Sequence, residues 1–188
     1  MKIEDIKKPI IIDKVLPISE NIEMLKHFST RPLLIQHEGL EEKGVLPDEA
    51  SFITGFSNNY NHVGFALELY DYRFKKCEKF DPLFIWSRII FNSALEKLNL
   101  QNFKNLARIH WNYYLAGQQG VGHTDREEDN FVSMLYNPHT TDGGTEILGE
   151  FYPDVAGQLK IFKSNWLHKG VSSKKDKARA SVNIVLEF

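Results

Sequence analysis

The segment GVGHTDREEDNFVSMLYNP, residues 120–138, contains a histidine and an aspartate two positions apart, His123 and Asp125. In an extended backbone, side chains at positions i and i+2 point to the same face of the strand. An imidazole and a carboxylate on one face can bind the same metal ion, but such a pair also occurs in ordinary surface turns. By itself, the pair leaves a metal site and a surface turn as alternatives.

A third metal ligand has to come from elsewhere in the chain, and His168 is the best candidate. In GQLKIFKSNWLHKGVSS, an apolar strand leads through a polar turn to this histidine. Two imidazoles and one carboxylate on one face of a metal leave three positions open, an arrangement associated with non-haem iron(II) oxygenases. Arg179 and Ser181 then share one face of a last strand, RASVNIVLEF, where an arginine could bind a carboxylate bidentately with the hydroxyl as second donor.

The elements that position these residues are predicted from hydrophobic periodicity. From Asn105 onward the period is two, and about eight short strands are separated by glycine, proline or charged turns. This pattern is typical of a β-sandwich or barrel and not of a βαβ fold. The first half is mixed, with strands in KPIIIDKVLP, RPLLIQHE and HVGFALELYDY, turns in residues 44–61, a helix starting near Ser19, and the clearest helix capped by Asp81 before Pro82.

The assembled order of motifs resembles the iron(II)- and 2-oxoglutarate-dependent dioxygenases, especially their prolyl-4-hydroxylase-like branch. The likeness covers roughly residues 106–188 and includes NYYLAGQQGVGHTD, GGTEIL and GQLKIFKSNWLHKG. It implies a mostly β fold with supporting helices (α+β) around a double-stranded β-helix core of the jelly-roll or cupin-like type. We expect a single domain, 1–188, in which residues 1–104 supply supporting helices and flanking strands and residues 105–188 form the catalytic core.

The resemblance also implies a reaction. Such an enzyme uses Fe(II), O2 and 2-oxoglutarate to hydroxylate an unactivated C–H bond of a protein side chain or small metabolite, and decarboxylates 2-oxoglutarate to succinate. The site residues that it implies are His123, Asp125 and His168 for the metal, and Arg179, Ser181 and Tyr114 for the co-substrate.

Two departures from the family pattern narrow the substrate. Collagen-type prolyl hydroxylases usually hold the co-substrate with a lysine where this chain has Arg179, so collagen-like proline is not a safe choice. Nucleic-acid demethylases of the superfamily carry a second arginine where this chain has Val185, which disfavours nucleic acid. A non-catalytic jelly-roll binding module and a cupin-like metalloenzyme that does not use 2-oxoglutarate remain alternatives.

Bulk composition is that of an ordinary globular protein. The 188 residues are 42% hydrophobic and 26% charged with a net charge of −2, so charge gives no reason to expect a nucleic acid or an anionic membrane as partner. The single cysteine, Cys77, suits a reducing compartment and is not expected to be catalytic. The chain shows neither a signal peptide nor a membrane span, and we expect a cytoplasmic protein whose oligomeric state is open.

Several other residues near these motifs have simpler interpretations. We expect His110 to be a packed strand histidine, His139 an ordinary loop residue, and Trp166 a packing residue. Tyr113 faces away from Tyr114 and should belong to the core. The charged run at residues 126–129 is predicted to be a solvated turn.

Overall fold

The protein consists of two helices and two antiparallel sheets in the part of the chain that its structure, a computed structural model, describes. The described residues are 3–29, 34–37, 63–73, 75–98, 102–118, 120, 122–176 and 178–188. The helices are α1 (Ile18–Ser29) and α2 (Pro82–Leu98), preceded by a 3-10 turn at Ile3–Asp5. The strands are β1 (Ile10–Ile12), β2 (Leu34–His37), β3 (Val63–Asp71), β4 (Lys76–Cys77), β5 (Asn105–Leu115), β6 (Phe131–Asn137), β7 (Gly144–Ile147), β8 (Glu150–Pro153), β9 (Gln158–Lys163), β10 (His168–Val171) and β11 (Ala178–Glu187).

Strands of the second half alternate between the two sheets. The larger sheet has the order β1-β9-β6-β11-β5-β3-β2, with β4 beside β3, and the smaller sheet has the order β10-β7-β8. The chain passes from β6 to the smaller sheet, returns in β9, crosses again in β10 and finishes in β11. This wrapping of one chain around two facing sheets is the predicted double-stranded β-helix, so the predicted fold class is confirmed.

One face of the larger sheet packs against the helices. Apolar residues at alternate positions of its strands, among them Trp111 and Ile184, join residues of α1 and α2 in one buried cluster. Helix α2 begins as predicted, because the Leu83 amide donates a hydrogen bond to the Asp81 carboxylate at 2.8 Å. Helix α1 begins at Ile18, so Ser19 lies in its first turn and is not its cap.

The opposite face of the larger sheet carries polar side chains together with the apolar Leu135 and Phe162. In the register of the strands, Asn183 of β11 lies between His110 of β5 and Leu135 of β6, and Leu135 in turn pairs with Lys160 of β9. Cross-strand partners share a face of the sheet, so these side chains form one row. The space between the two sheets is therefore lined by polar groups that are largely buried.

Close approach of strands in the smaller sheet explains the diglycine. A Cβ atom on Gly144 would lie 2.4 Å from the Tyr152 carbonyl oxygen, and one on Gly143 would lie 2.7 Å from the Val171 carbonyl oxygen. Neither position can carry a side chain without moving the backbone. The predicted diglycine strand is thus needed to bring β7, β8 and β10 together.

Some predictions lie partly outside the described residues. The strands predicted in RPLLIQHE and HVGFALELYDY are present as β2 and β3. The turns predicted at residues 44–61 lie outside the described residues. The division into a supporting part and a catalytic core stays a prediction. Neither described helix is long and apolar enough to cross a membrane.

Candidate active site

Backbone pairing brings the two predicted histidine ligands together. The His123 amide donates to the His168 carbonyl oxygen and the His168 amide donates to the His123 carbonyl oxygen, both at 2.9 Å. This short antiparallel bridge sets the ring centroids 4.4 Å apart. The Asp125 amide donates to the Ser164 carbonyl oxygen at 2.9 Å, which fixes the carboxylate two residues after His123.

The side chains of His123, Asp125 and His168 form a candidate metal site. Their potential ligand atoms all lie within 4.8 Å of one another, and Nε2 of His168 is 3.6 Å from Oδ2 of Asp125. His123 is half-buried and the other two are buried, so the group is reached from one side. Two imidazoles and one carboxylate fit Fe(II) with positions left for other ligands.

The ring of His168 is held in a form that can bind a metal. Its Nδ1 lies 2.9 Å from the Trp166 carbonyl oxygen, which can only accept, so the proton resides on Nδ1 and the Nε2 lone pair is exposed to Asp125. Burial lowers the pKa of His168, and the opposing effect of the Asp125 carboxylate does not restore it. The imidazole is therefore neutral near pH 7, as metal binding requires.

The Asp125 carboxylate is surrounded by donors from the larger sheet. Arg108 of β5 forms an ion pair with it, Ser133 of β6 donates its hydroxyl, and the Asn183 amide donates to both oxygens at 3.2 and 3.0 Å. Burial would raise the pKa of this carboxyl, but nearby positive charge, above all that of Arg108, holds it well below its usual range. Asp125 is thus an oriented anion at neutral pH.

Arg179 lies deeper between the sheets and is already paired with a carboxylate. Its Nε donates to Oδ2 of Asp154 at 2.6 Å, and its Nη2 lies 3.2 Å from Oδ1 of Asp154 and 2.9 Å from the Thr145 hydroxyl. Asp154 also accepts hydrogen bonds from Asn137 and Thr141. The predicted anchor arginine is therefore a rigid group in a buried network.

An unused donor lies two residues from this arginine on the same face of β11. The hydroxyl of Ser181 is buried and has no hydrogen-bond partner among the described residues. A Cβ on Gly170 would lie 3.0 Å from Nη1 of Arg179 and 3.1 Å from the Tyr114 ring, so the glycine lets these two groups pack closely against the backbone of β10. The Tyr114 ring is itself 5.8 Å from the guanidinium carbon. A serine hydroxyl without a partner beside an arginine fits a carboxylate of a co-substrate.

An open cavity of about 560 Å³ adjoins the candidate metal ligands on the solvent side. Its wall includes Tyr72 and Arg73 from the end of β3, the exposed Thr124 and Glu127, and Leu167 before β10. The shape suits a substrate that reaches the ligands His123 and Asp125 from outside.

Other sequence predictions have mixed outcomes. Tyr113 packs on Phe28 with ring centroids 5.6 Å apart, and Trp166 packs against two hydrophobic clusters, so both packing predictions are confirmed. His139 lies in a loop as expected, but its Nε2 accepts the Ala180 amide at 2.8 Å and so packs beside the strand that carries Arg179.

The charged run at residues 126–129 is only in part a solvated turn. Glu127, Glu128 and Asp129 are exposed, but Arg126 is 7% exposed. Its Nη1 donates to the Asp125 carbonyl oxygen at 2.9 Å and its Nη2 lies 3.8 Å from the Asp71 carboxylate. The prediction was wrong for this residue, because a loop packed on the end of β3 supplies partners that a turn in solvent lacks.

Sequence reasoning missed several polar residues of the inner face. The available signal was the alternation in ARIHW and LKI, in which Arg108, His110 and Lys160 lie on the face opposite to apolar residues. That signal identifies a face but does not say that a second sheet covers it. The missed residues are Arg108, Ser133, Asp154 and Lys160.

Comparison with known proteins gives structural matches alone. Neither the protein-family models nor the curated protein sequences contain a match to this chain. A prolyl-4-hydroxylase from Pseudomonas putida is 15% identical, with 96% of this chain and 92% of that chain covered and a TM-score of 0.57. A Trichoplax adhaerens prolyl hydroxylase, solved with a peptide of hypoxia-inducible factor, is 14% identical over 95% and 83% of the two chains, with a TM-score of 0.58.

A third solved structure carries both a metal and the co-substrate. HygX from Streptomyces hygroscopicus, with nickel and 2-oxoglutarate bound, is 9% identical over 98% of this chain and 84% of that chain, with a TM-score of 0.63. At such identities the likeness concerns the fold. The chain therefore has the double-stranded β-helix fold of the iron(II)- and 2-oxoglutarate-dependent oxygenases, prolyl-4-hydroxylases included, which confirms the resemblance that its sequence motifs predicted.

Proposed function

We propose that this protein is an iron(II)- and 2-oxoglutarate-dependent dioxygenase that hydroxylates an unactivated C–H bond. The observation that carries the proposal is the convergence of His123, Asp125 and His168 within 4.8 Å. Asp125 contacts Asn183 of β11, and the buried Ser181 and Arg179 follow Asn183 at alternate positions of that strand. These are the residue types that such a reaction needs for a metal and for a dicarboxylic 2-oxo acid.

The metal would be held by His123, Asp125 and His168, and O2 would react there. When bound, Fe(II) supplies the oxidative chemistry and couples it to decarboxylation of 2-oxoglutarate to succinate. The chain prepares the ligands beforehand, because Asp125 is an anion and His168 presents an unprotonated Nε2. No proton has to leave either of these side chains when the metal enters at neutral pH.

The co-substrate would lie with its distal carboxylate at Arg179 and Ser181. The Ser181 hydroxyl would gain the partner that it lacks, and the guanidinium supplies charge that Asp154 already holds in place. The Tyr114 ring, 5.8 Å from the guanidinium carbon of Arg179, would border that carboxylate. The roles of these three residues are part of the proposal.

The substrate would be a protein side chain or a small metabolite that enters through the cavity beside Leu167 and Tyr72. A peptide is supported by the Trichoplax hydroxylase, whose structure contains one in complex. A cytoplasmic location, which the single cysteine favours, belongs to the same proposal.

A cupin-like metalloenzyme that ignores 2-oxoglutarate is the second candidate, and one observation favours it. Arg179 already has a carboxylate partner in Asp154, so the arginine has a structural role without any co-substrate. In such an enzyme, an Arg179→Ala variant that is shown to be folded would turn over substrate as fast as the unmodified enzyme when both contain the metal.

Anaerobic spectroscopy tests the proposal directly. Fe(II) and 2-oxoglutarate added together to the protein should produce a visible charge-transfer band, and Asp125→Ala should abolish it and weaken metal binding measured by calorimetry. The matched control is Asp129→Ala, which removes an exposed carboxylate from the same loop. The proposal fails if the intact protein gives no band. A cell extract supplied with the same reagents and O2 can then reveal, by mass spectrometry, which molecule gains an oxygen atom.

A further inference from the structure

Lys160 is a fully buried lysine between the two sheets. It lies at the centre of β9, where its neighbours Leu159 and Ile161 point into the hydrophobic core on the other face of the sheet. Its ammonium group forms a hydrogen bond with the Asn137 side-chain oxygen and lies 3.7 Å from Oδ1 of Asp154. A lysine is seldom buried to this degree unless its charge has a counterpart.

The only carboxylate paired with Lys160 among the described residues, that of Asp154, also pairs with Arg179. Oδ1 of Asp154, the nearest carboxylate oxygen to Lys160, is also 3.2 Å from Nη2 of Arg179, and Nε of Arg179 takes the other oxygen. All three residues are at most 1% exposed. Two positive charges thus converge on one negative charge, which leaves the buried cluster with one positive charge in excess.

We propose that Lys160 is a second cation of the co-substrate pocket, and that the distal carboxylate of a 2-oxo dicarboxylic acid supplies the negative charge that the Lys160–Asp154–Arg179 cluster lacks. The inference rests on the proposed function and adds to it a residue that selects for the distal carboxylate. Ser181, whose buried hydroxyl has no partner among the described residues, marks where that carboxylate is received.

A purely structural role explains the lysine less well. An apolar side chain of similar volume fills such a position without the cost of burying an ammonium group, and replacing buried charges in this way is often neutral or stabilising. Burial indeed lowers the pKa of Lys160 to about 8, although Asp154 acts in the opposite direction. The retained charge is understandable if a ligand uses it.

Few groups near Lys160 can change charge between about pH 7 and 9, so a pH effect in this range can be assigned to the lysine. Asp154 and Arg179 face it from the end of β8 and from β11, and His139 lies near both. Burial lowers the pKa of His139 from its ordinary value, so this residue is neutral above pH 7. On β1 and β6 the residues paired with Lys160 are Ile11 and Leu135, which do not titrate.

Two 2-oxo acids of equal chain length test the inference. The probes are 2-oxoglutarate and 2-oxopentanoate, which has a methyl group in place of the distal carboxylate, and the measurement is calorimetric Kd with the Mn(II)-loaded protein. Lys160→Met should weaken 2-oxoglutarate binding about 10-fold to 100-fold, the usual worth of a hydrogen bond to a charged group, and leave 2-oxopentanoate within about 3-fold. Lys163→Met, on the other face of β9, makes the same change in net charge and serves as control.

The outcomes separate the two proposals. Full retention of the preference for 2-oxoglutarate in Lys160→Met would overturn the role of Lys160 while leaving the proposed function intact. Equal weakening of both acids would also overturn it, because a structural loss does not distinguish a carboxylate from a methyl group. An intact protein that binds both acids equally would instead remove the distal carboxylate site, and with it the proposed function.

The intact protein offers a test that needs no variant. Binding of the distal carboxylate favours protonated Lys160, so the ratio of the two Kd values should fall severalfold as pH rises from about 7 to about 9. Effects of pH on the metal ligands cancel in this ratio because both acids share the same 2-oxo acid head. A ratio that stays flat over this pH range would show that Arg179 alone selects the carboxylate and would refute the inference.

Discussion

Removal of the Asp154 carboxylate is the most demanding test of the buried charge network. This side chain is 1% exposed and joins Arg179, Lys160, Asn137 and Thr141. Because Asp154 is buried, water cannot take over the hydrogen bonds of its carboxylate after the substitution. We expect Asp154→Ala to destabilise the protein far more than loss of an ordinary surface ion pair.

The size of the effect follows from the charges left behind. Breaking a buried ion pair by removing one partner costs about 3–5 kcal/mol, because the other charge stays buried without compensation. Lys160 can relieve part of this cost by losing its proton, because burial lowers its pKa and the variant lacks Asp154, which opposes that shift. The loss should therefore be near the lower limit, about 3 kcal/mol, or about 6–12 °C in Tm for a chain of this size.

Urea unfolding of the metal-free protein, followed by circular dichroism, measures this loss. Glu146→Ala is the matched control, since Glu146 pairs with Lys169 at 3.2 Å while both side chains are 35% exposed, and it should cost less than about 1 kcal/mol. Asp154→Asn keeps the volume and removes the charge, so it separates electrostatics from packing. Equal losses for Asp154→Ala and Glu146→Ala would refute the description of Asp154 as the counter-charge of two buried cations.

Two further variants test the support of the metal ligand and of the core. Asn183→Ala removes a donor that orients the candidate metal-binding carboxylate and should weaken Mn(II) binding about 10-fold by calorimetry. Asn165→Ala, at an exposed hydrogen bond, should leave it unchanged, and equal affinities for both variants would contradict the orienting role. Ser87→Ala leaves the buried Trp111 N–H without its acceptor and should lower the free energy of unfolding by about 1–3 kcal/mol. Ser29→Ala, at an exposed position, should change it by less than about 0.5 kcal/mol, and a similar loss in both would contradict the assignment.

The fold was largely predictable because its signals are local. Period-two alternation from Asn105 onward predicts strands, and the glycine and proline turns separate them where the structure does. The start of α2 follows from Asp81 and Pro82 alone. The start of α1 near Ser19 follows from the serine and the acidic residues beside it, and the helix begins one residue earlier, at Ile18.

The candidate site was predictable only where a motif fixes the spacing. His123 and Asp125 share an extended segment, and a motif placed His168 near them, which the backbone bridge between the histidines reproduces. Lys160 could not be recognised, because a lysine that alternates with apolar residues usually faces solvent. Which faces of β9 are covered depends on how the smaller sheet folds over the larger one, and Asp154 reaches Lys160 only through that long-range arrangement.

The two buried carboxylates, Asp125 and Asp154, have different roles because they pair with different numbers of positively charged side chains. The Asp125 carboxylate forms an ion pair with one arginine, Arg108, and otherwise accepts from neutral donors, while Arg126 binds its backbone carbonyl. Asp154 faces two cations and is saturated with hydrogen bonds, so it cannot serve as a ligand and leaves an unbalanced positive charge. Under the proposed function, a ligand that spans the two places carries negative charge at both ends, as a dicarboxylic 2-oxo acid does and a monocarboxylic one does not.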